Sequence, residues 1–163
     1  MTRRGSGLGR PLGAVARVAL ILIGLSPFLP PLLSHLGALH VIGDAIDGWF
    51  AFQCHREPAR SLSIGGLMLP VCSRCFGIYA GLGLGALVLR PRLRVWPLRI
   101  WVTFGVLLML ADVFTEALGW RPPLAWLRAA TGVLLAYPVG ATLVWAARSL
   151  GEDERAGPDA HGS

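Results

Sequence analysis

Four long apolar runs divide the chain. The first, about residues 18–36, reads VALILIGLSPFLPPLLSHL, and the second, 70–89, reads PVCSRCFGIYAGLGLGALVL. IWVTFGVLLMLADVFTEAL occupies 100–118, and AATGVLLAYPVGATLVWAA occupies 129–147. About 20 such residues cross a hydrocarbon core of about 30 Å as a helix, so the pattern predicts four transmembrane helices. Pro27, Pro30 and Pro31 predict a kink or break in the first. Residues 37–69 form a connection too long to be passive. Its first half places His40, Asp44 and Asp47 at i, i+4 and i+7, with Trp49, Phe50 and Phe52 close behind. That spacing predicts an amphipathic segment at the membrane interface, with aromatics toward lipid and acids toward water. A solvated face is favoured over metal binding for the His40, Asp44 and Asp47 stripe.

Composition agrees with a membrane bundle: of 163 residues, 54% are hydrophobic and 15% charged, which sets the chain apart from ordinary soluble domains. The net charge of +6 does not point to nucleic acid, because the arginines sit between the apolar runs and not on one basic face. They report orientation. Arg3, Arg4, Arg10 and Arg17 precede the first run, Arg90, Arg92, Arg94 and Arg99 separate the second from the third, and Arg148 and Arg155 follow the fourth. Arg56, Arg60, Arg74, Arg121 and Arg128 fall in the alternate segments. The expectation is a multi-pass protein of the cell membrane with both termini cytoplasmic and the lipid bilayer as its partner. It has a basic N-terminus over 1–17, one membrane domain over 18–147 and a disordered tail over 148–163. The first run is read as a retained helix, because no small-x-small cleavage site follows it closely.

The chemistry concentrates in CHREPARSLSIGGLMLPVCSRC, at the outer end of the connection. Cys54, His55, Cys72 and Cys75 are four donors of the kind that Zn²⁺ takes in a tetrahedral site. The Cys-x-x-Cys turn brings two sulfurs to one ion, and the loop back to Cys54 supplies a third. His55 directly follows Cys54, and neighbours seldom ligate one ion, so His40, Asp44 or water are alternative fourth ligands. Pro70 predicts a helix start just before Cys72, where the helix dipole and Arg74 lower a thiol pKa. The same acidification suits a membrane thiol-disulfide oxidoreductase using Cys72 and Cys75. An electron relay needs a second dithiol, however, and the chain has three cysteines. Three inert buried thiols are the remaining reading. A site for zinc or another transition metal is favoured.

The strings CHREPARS, LPVCSRCFGIYAG and LRAATG resemble the signature of the domain of unknown function 2085 family, small predicted membrane proteins of prokaryotes. The resemblance covers most of residues 50–136 and implies a shared membrane fold without an activity. Its pattern falls on Cys54, His55, Pro58, Arg60, Ser61, Cys72, Arg74, Cys75, Tyr79, Asp112, Thr115, Arg121, Arg128 and Thr131, among others. The chain departs from it at Asp112-Val113, at Thr115-Glu116 and at Trp126, where the family has Asp-Gly, Thr-Gln and Asn.

Within the bundle, Gly77, Gly81 and Gly85 recur every four residues with Arg74 on the same stripe, and Arg128, Gly132, Ala136 and Gly140 repeat the spacing in the fourth run. Such glycine-zipper stripes let helices approach closely. Asp112 and Glu116 lie one turn apart, and charges at that depth find partners, so they are expected to pair with Arg74 and Arg128. With Arg60 these residues form a candidate polar site, for which bundle specification is favoured over a proton relay or an anion site. No Ser/His/Asp signature, HExxH or phosphate-binding glycine loop favours a hydrolase or nucleotide enzyme. The sequence therefore predicts an all-α integral membrane bundle with an extracytoplasmic Cys/His metal site.

Overall fold

The computed structural model describes residues 9–54, 58–64, 66–88 and 95–156. The chain is mostly helical, with α1 over Gly9–Leu25, α2 over Leu29–Leu33 and α3 over His40–Gln53. A hairpin of β1, Ser61–Ile64, and β2, Leu67–Cys72, leads into α4, Ser73–Leu87. The long helices α5, Val95–Ala117, and α6, Ala125–Ala156, complete it. Among the described residues, three helical stretches are long and apolar enough to cross a bilayer: Pro11–Leu33, Val95–Ala117 and Ala125–Gly151. The α4 helix has 15 residues, or about 22 Å at 1.5 Å each, short of what a bilayer core requires. Three of the four expected spans thus have helices of spanning length among the described residues, and the second run holds a shorter one. The all-α expectation is corrected, because the antiparallel hairpin takes up residues read as the start of a helix.

The prolines shape the first apolar run. A 3-10 turn at Ser26–Phe28 interrupts the α-helix, and Pro30 and Pro31 stand in the first turn of α2, where a missing N–H costs nothing. Val15, Val18, Leu22 and Leu25 form an exposed apolar stripe along α1, and α5 is apolar and largely uncovered, as lipid-facing helices are.

Helix α4 lies at the centre, packed on α6 and on α1. A Cβ placed on Gly77, Gly81 or Gly85 meets the backbone of Ala129, Val133 or Tyr137 respectively. Residues advance together along both helices, so α4 and α6 run parallel. Against α1 the order reverses: Gly83 meets Gly24, and the Val88 carbonyl accepts from Arg17 at 3.0 Å. Helix α5 is antiparallel to α6, with Gly105 against Leu135 near one end and Glu116 against Arg128 near the other. Thus α1 and α5 run one way, and α4 and α6 the other.

Pro138 lies inside α6 without breaking it. A proline there leaves the carbonyl four residues earlier without its helical donor. That carbonyl belongs to Leu134, and it accepts the indole N–H of Trp101 from α5 at 2.9 Å.

The connection from 37 to 69 is ordered in its described parts. Trp49 and Phe52 of α3 are exposed, but Phe50 is buried, a correction to the expectation that all three aromatics face lipid. The hairpin pairs Ser61 with Cys72 and Ile64 with Leu67, and turns at Gly66, whose φ of 82° suits glycine. Pro70 sits inside β2, so the helix start that it was expected to favour falls instead at Ser73. At the other end, α6 continues past residue 147 to Ala156.

Candidate metal centre

Three segments meet at the end of the bundle where α4 begins. Cys54 terminates α3 in extended conformation, Cys72 ends β2 and caps the N-terminus of α4, and Cys75 lies in the first turn of α4. Their sulfurs all lie within 4.8 Å of one another. The backbone N–H of Cys72 donates to the Cys54 sulfur at 3.2 Å, tying the strand to the end of α3. Phe50, Cys54 and Val71 form a buried cluster, with Ile46, Phe76 and Tyr79 packed against it. Phe50 meets Tyr79 edge to face with ring centroids 5.5 Å apart, and the Tyr79 hydroxyl donates to Gln53 Oε1 at 2.5 Å. The sulfurs therefore sit against a mostly apolar cluster.

Cys72 is the acidified thiol. A hydrogen bond from the Cys75 thiol holds its pKa at about 5, well below the usual value, and outweighs the opposing effect of burial. The backbone of Cys75, the Cys54 side chain and the backbone of Arg74 act in the same direction.

Of the expected ligands, the three cysteines come together. His55 lies outside the described residues. His40 stands at the opposite end of α3, fourteen residues from Cys54 and so about 21 Å along the helix, with its Nδ1 paired to the Gly37 carbonyl at 2.8 Å. Helix length alone removes it as a ligand, and Asp44, ten residues away, is also out of reach. Asp44 and Asp47 instead border a separate cleft with Pro30, Pro31, Ser34 and Met68.

Beside the cysteines, at the same end of the bundle, lies a cluster of charges. Arg74 donates to Asp112 at 2.6 Å, and Asp112 also accepts from Arg121. Glu116 accepts from Arg128 Nε at 2.8 Å, and Arg60 stands 3.7 Å from it. Arg121 further donates to the Thr115 hydroxyl at 2.9 Å and to the Asp112 carbonyl at 2.8 Å. It reaches back because α5 ends in a tight turn: Gly119 has a φ of 71°, its N–H donates to Glu116, and the Trp120 N–H donates to Thr115. Arg121 falls on the family pattern but not among the residues expected to form the polar site. Its position two residues past a Thr-x-x-x-Gly helix end is the signal that marks it.

Comparison with known proteins follows the same outline. Residues 54–142 match the family described as predicted membrane protein (DUF2085). An uncharacterized protein of Methanocaldococcus jannaschii is 28% identical over 134 residues, covering 77% of this chain and 85% of its own. An uncharacterized protein of Methanothermobacter thermautotrophicus is 36% identical over 90 residues, 52% of this chain and 78% of its own. No solved structure matches. The matched segment takes in the three cysteines, the hairpin and the whole charge cluster, and by this match the chain belongs to the DUF2085 family of predicted membrane proteins.

Proposed function

We propose that this membrane protein holds one thiophilic metal ion, Zn²⁺ by the chemistry of its donors, between Cys54, Cys72 and Cys75 at the outer end of a four-pass bundle. The observation that carries this reading is the mutual closeness of three sulfurs from three chain segments. Tetrahedral zinc with bonds of about 2.3 Å spaces its sulfurs by about 3.8 Å, within the range found. A disulfide joins two sulfurs and leaves a third without a role, whereas one ion uses all three. The fourth position falls to His55 or to water. His55 closes the shell and makes the ion structural, pinning α3 and the hairpin onto α4; water leaves a position at which a substrate can bind.

The arginine asymmetry supports placing both termini in the cytoplasm of a cell-membrane protein, with the cysteines outside. Four passes are supported by direction: α4 runs parallel to α6, a helix long enough to span, and packs along it between Gly77 and Gly85 like a glycine zipper. A short helix buried in that position lies in the membrane even though its own length does not cross it.

The alternative is a thiol-disulfide oxidoreductase using Cys72 and Cys75, favoured by the acidified Cys72 beside a second thiol. Metal analysis of the purified full-length protein, beside thiol alkylation, separates the two. About one equivalent of zinc, three thiols protected until chelator is added, and loss of the metal in Cys72→Ser support the metal centre. Metal-free protein with a reversible Cys72–Cys75 disulfide, active in thiol exchange, overturns it and makes this an enzyme.

A further inference from the structure

The last turns of α5 carry two carboxylates one turn apart, and each is held by arginine from both sides. Asp112 stands between Arg74 and Arg121, and Glu116 between Arg128 and Arg60. Among the described residues the charges do not balance. Leaving aside Arg60, which is half exposed at the rim, three guanidiniums face two carboxylates. Arg128 is only 5% exposed, and Arg74 and Arg121 are about one-fifth exposed, so the excess charge is poorly served by water. An uncompensated cation at the end of membrane helices is costly, and the natural remedy is an anion.

Three further features point the same way. Helices α4 and α6 both begin at this end, and neither has an acidic residue in its first turn, so their N-terminal dipoles add to the positive potential. The Nε of Arg74 is buried without a hydrogen-bond partner, a donor that the protein's own carboxylates leave unused. Trp120 and Trp126 flank the cluster, 76% and 66% exposed, and such indoles settle at headgroup level, where lipid phosphates lie.

We propose that this pole of α4, α5 and α6 binds a phosphate-bearing anion, with Arg74 as its principal donor, Arg121 adding its charge and Arg60 at its entrance. A planar guanidinium matches phosphate oxygens two at a time, and a singly charged phosphodiester neutralises the excess. The group can arrive on a phospholipid or as free phosphate. Asp112 and Glu116 hold the arginines apart, and the Arg74 Nε is the donor that they leave unused. The cysteine centre plays no part in this proposal, which stands or falls separately from the metal reading.

The test uses the full-length protein in mild detergent, with two probes. Inorganic phosphate is titrated against thermal unfolding, with chloride at equal ionic strength as control, and phosphatidylglycerol is added to mixed micelles and followed by native mass spectrometry. A phosphate-dependent rise in Tm identifies free phosphate as a ligand, and a single retained phosphatidylglycerol without that rise identifies a headgroup. Either supports the site, provided that Arg121→Gln weakens the binding about tenfold, the loss expected when one partly buried cation is removed from beside the anion. Arg60→Gln, half-exposed and outside the bundle core, carries the test should Arg121→Gln fail to fold, and is expected to weaken binding several-fold. Absence of both responses in the wild type, or undiminished binding in the folded variants, overturns the proposal.

Discussion

Trp101 donates its indole N–H to the carbonyl of Leu134, the one backbone acceptor of α6 that Pro138 deprives of its helical partner. In water such a carbonyl would be solvated; beside lipid it depends on a side chain from the neighbouring helix. The same indole stacks near Tyr137, with centroids 6.1 Å apart. The bond therefore couples α5 to α6 at the point where α6 is weakest.

Trp101→Phe should accordingly cost about 1 to 3 kcal/mol, the penalty of an unsatisfied buried acceptor. Pro138→Ala restores a backbone donor to Leu134, and in that background the Trp101→Phe loss should shrink. Unfolding of the four proteins in mixed detergent measures the coupling, and simple additivity would show that the indole bond carries nothing.

Close approach of α4 and α6 makes a second prediction. A Cβ on Gly85 would sit 2.0 Å from the Tyr137 carbonyl oxygen, and backbone cannot step aside as a flexible side chain can. Gly85→Ala must part the helices and should destabilise by about 1 to 3 kcal/mol. Gly48 of α3, with nothing within 4 Å, is the control: alanine there should be neutral or stabilising by up to about 1 kcal/mol. Equal effects at the two positions would remove close packing as the explanation.

The parts of the fold that could be read in the sequence were those with one dominant physical signal. Long apolar runs mark the cores of α1, α5 and α6, because a bilayer accepts little else. The hairpin escaped because its strands are short and its turn at Gly66 lies within a segment read as connection, although two glycines between β-forming runs of sequence are a hairpin signal. Residues 67–72 went to that strand, which is why α4 is shorter than the apolar run containing it. Helix α6 outlasts its apolar run because Arg148 to Ala156 need no lipid to remain helical. At the site, spacing placed Cys75 and Arg74 in the first turn of α4, with Cys72 just before it. The reach of Arg121 depends on a turn geometry at Gly119 that no periodicity encodes, and the separation of His40 from the sulfurs depends on the straightness of α3.

Asp112 is the carboxylate on which two arginines converge, and its side chain is 2% exposed. Asp112→Ala takes the carboxylate from both Arg74 and Arg121, leaving Arg121 its neutral acceptors, and should cost about 3 to 5 kcal/mol, as breaking a buried pair does. Arg74→Ala in the same chain should recover part of that loss, since it removes one of the orphaned cations. Additive losses in this cycle would show that Arg74 and Asp112 are neighbours without being coupled.

The acidified Cys72 makes a prediction about pH in the metal-free protein. Its pKa of about 5 lies below the ordinary thiol value, so the thiolate persists through neutral pH and is lost as pH falls through about 5. Alkylation of Cys72 should be nearly independent of pH between about 6 and 8 and fall about tenfold per unit below 5. The linked stability has the same sign: it is complete above the unfolded thiol's pKa, near 9, and declines as pH falls from there toward 5. Cys75→Ala removes the donor that does most to hold the thiolate, so the alkylation midpoint should move upward. Mass spectrometry of the alkylated protein, pulsed at each pH and resolved by residue, gives the midpoint directly. An unshifted profile in Cys75→Ala would mean that the helix N-terminus, and not the neighbouring thiol, sets the reactivity of this sulfur.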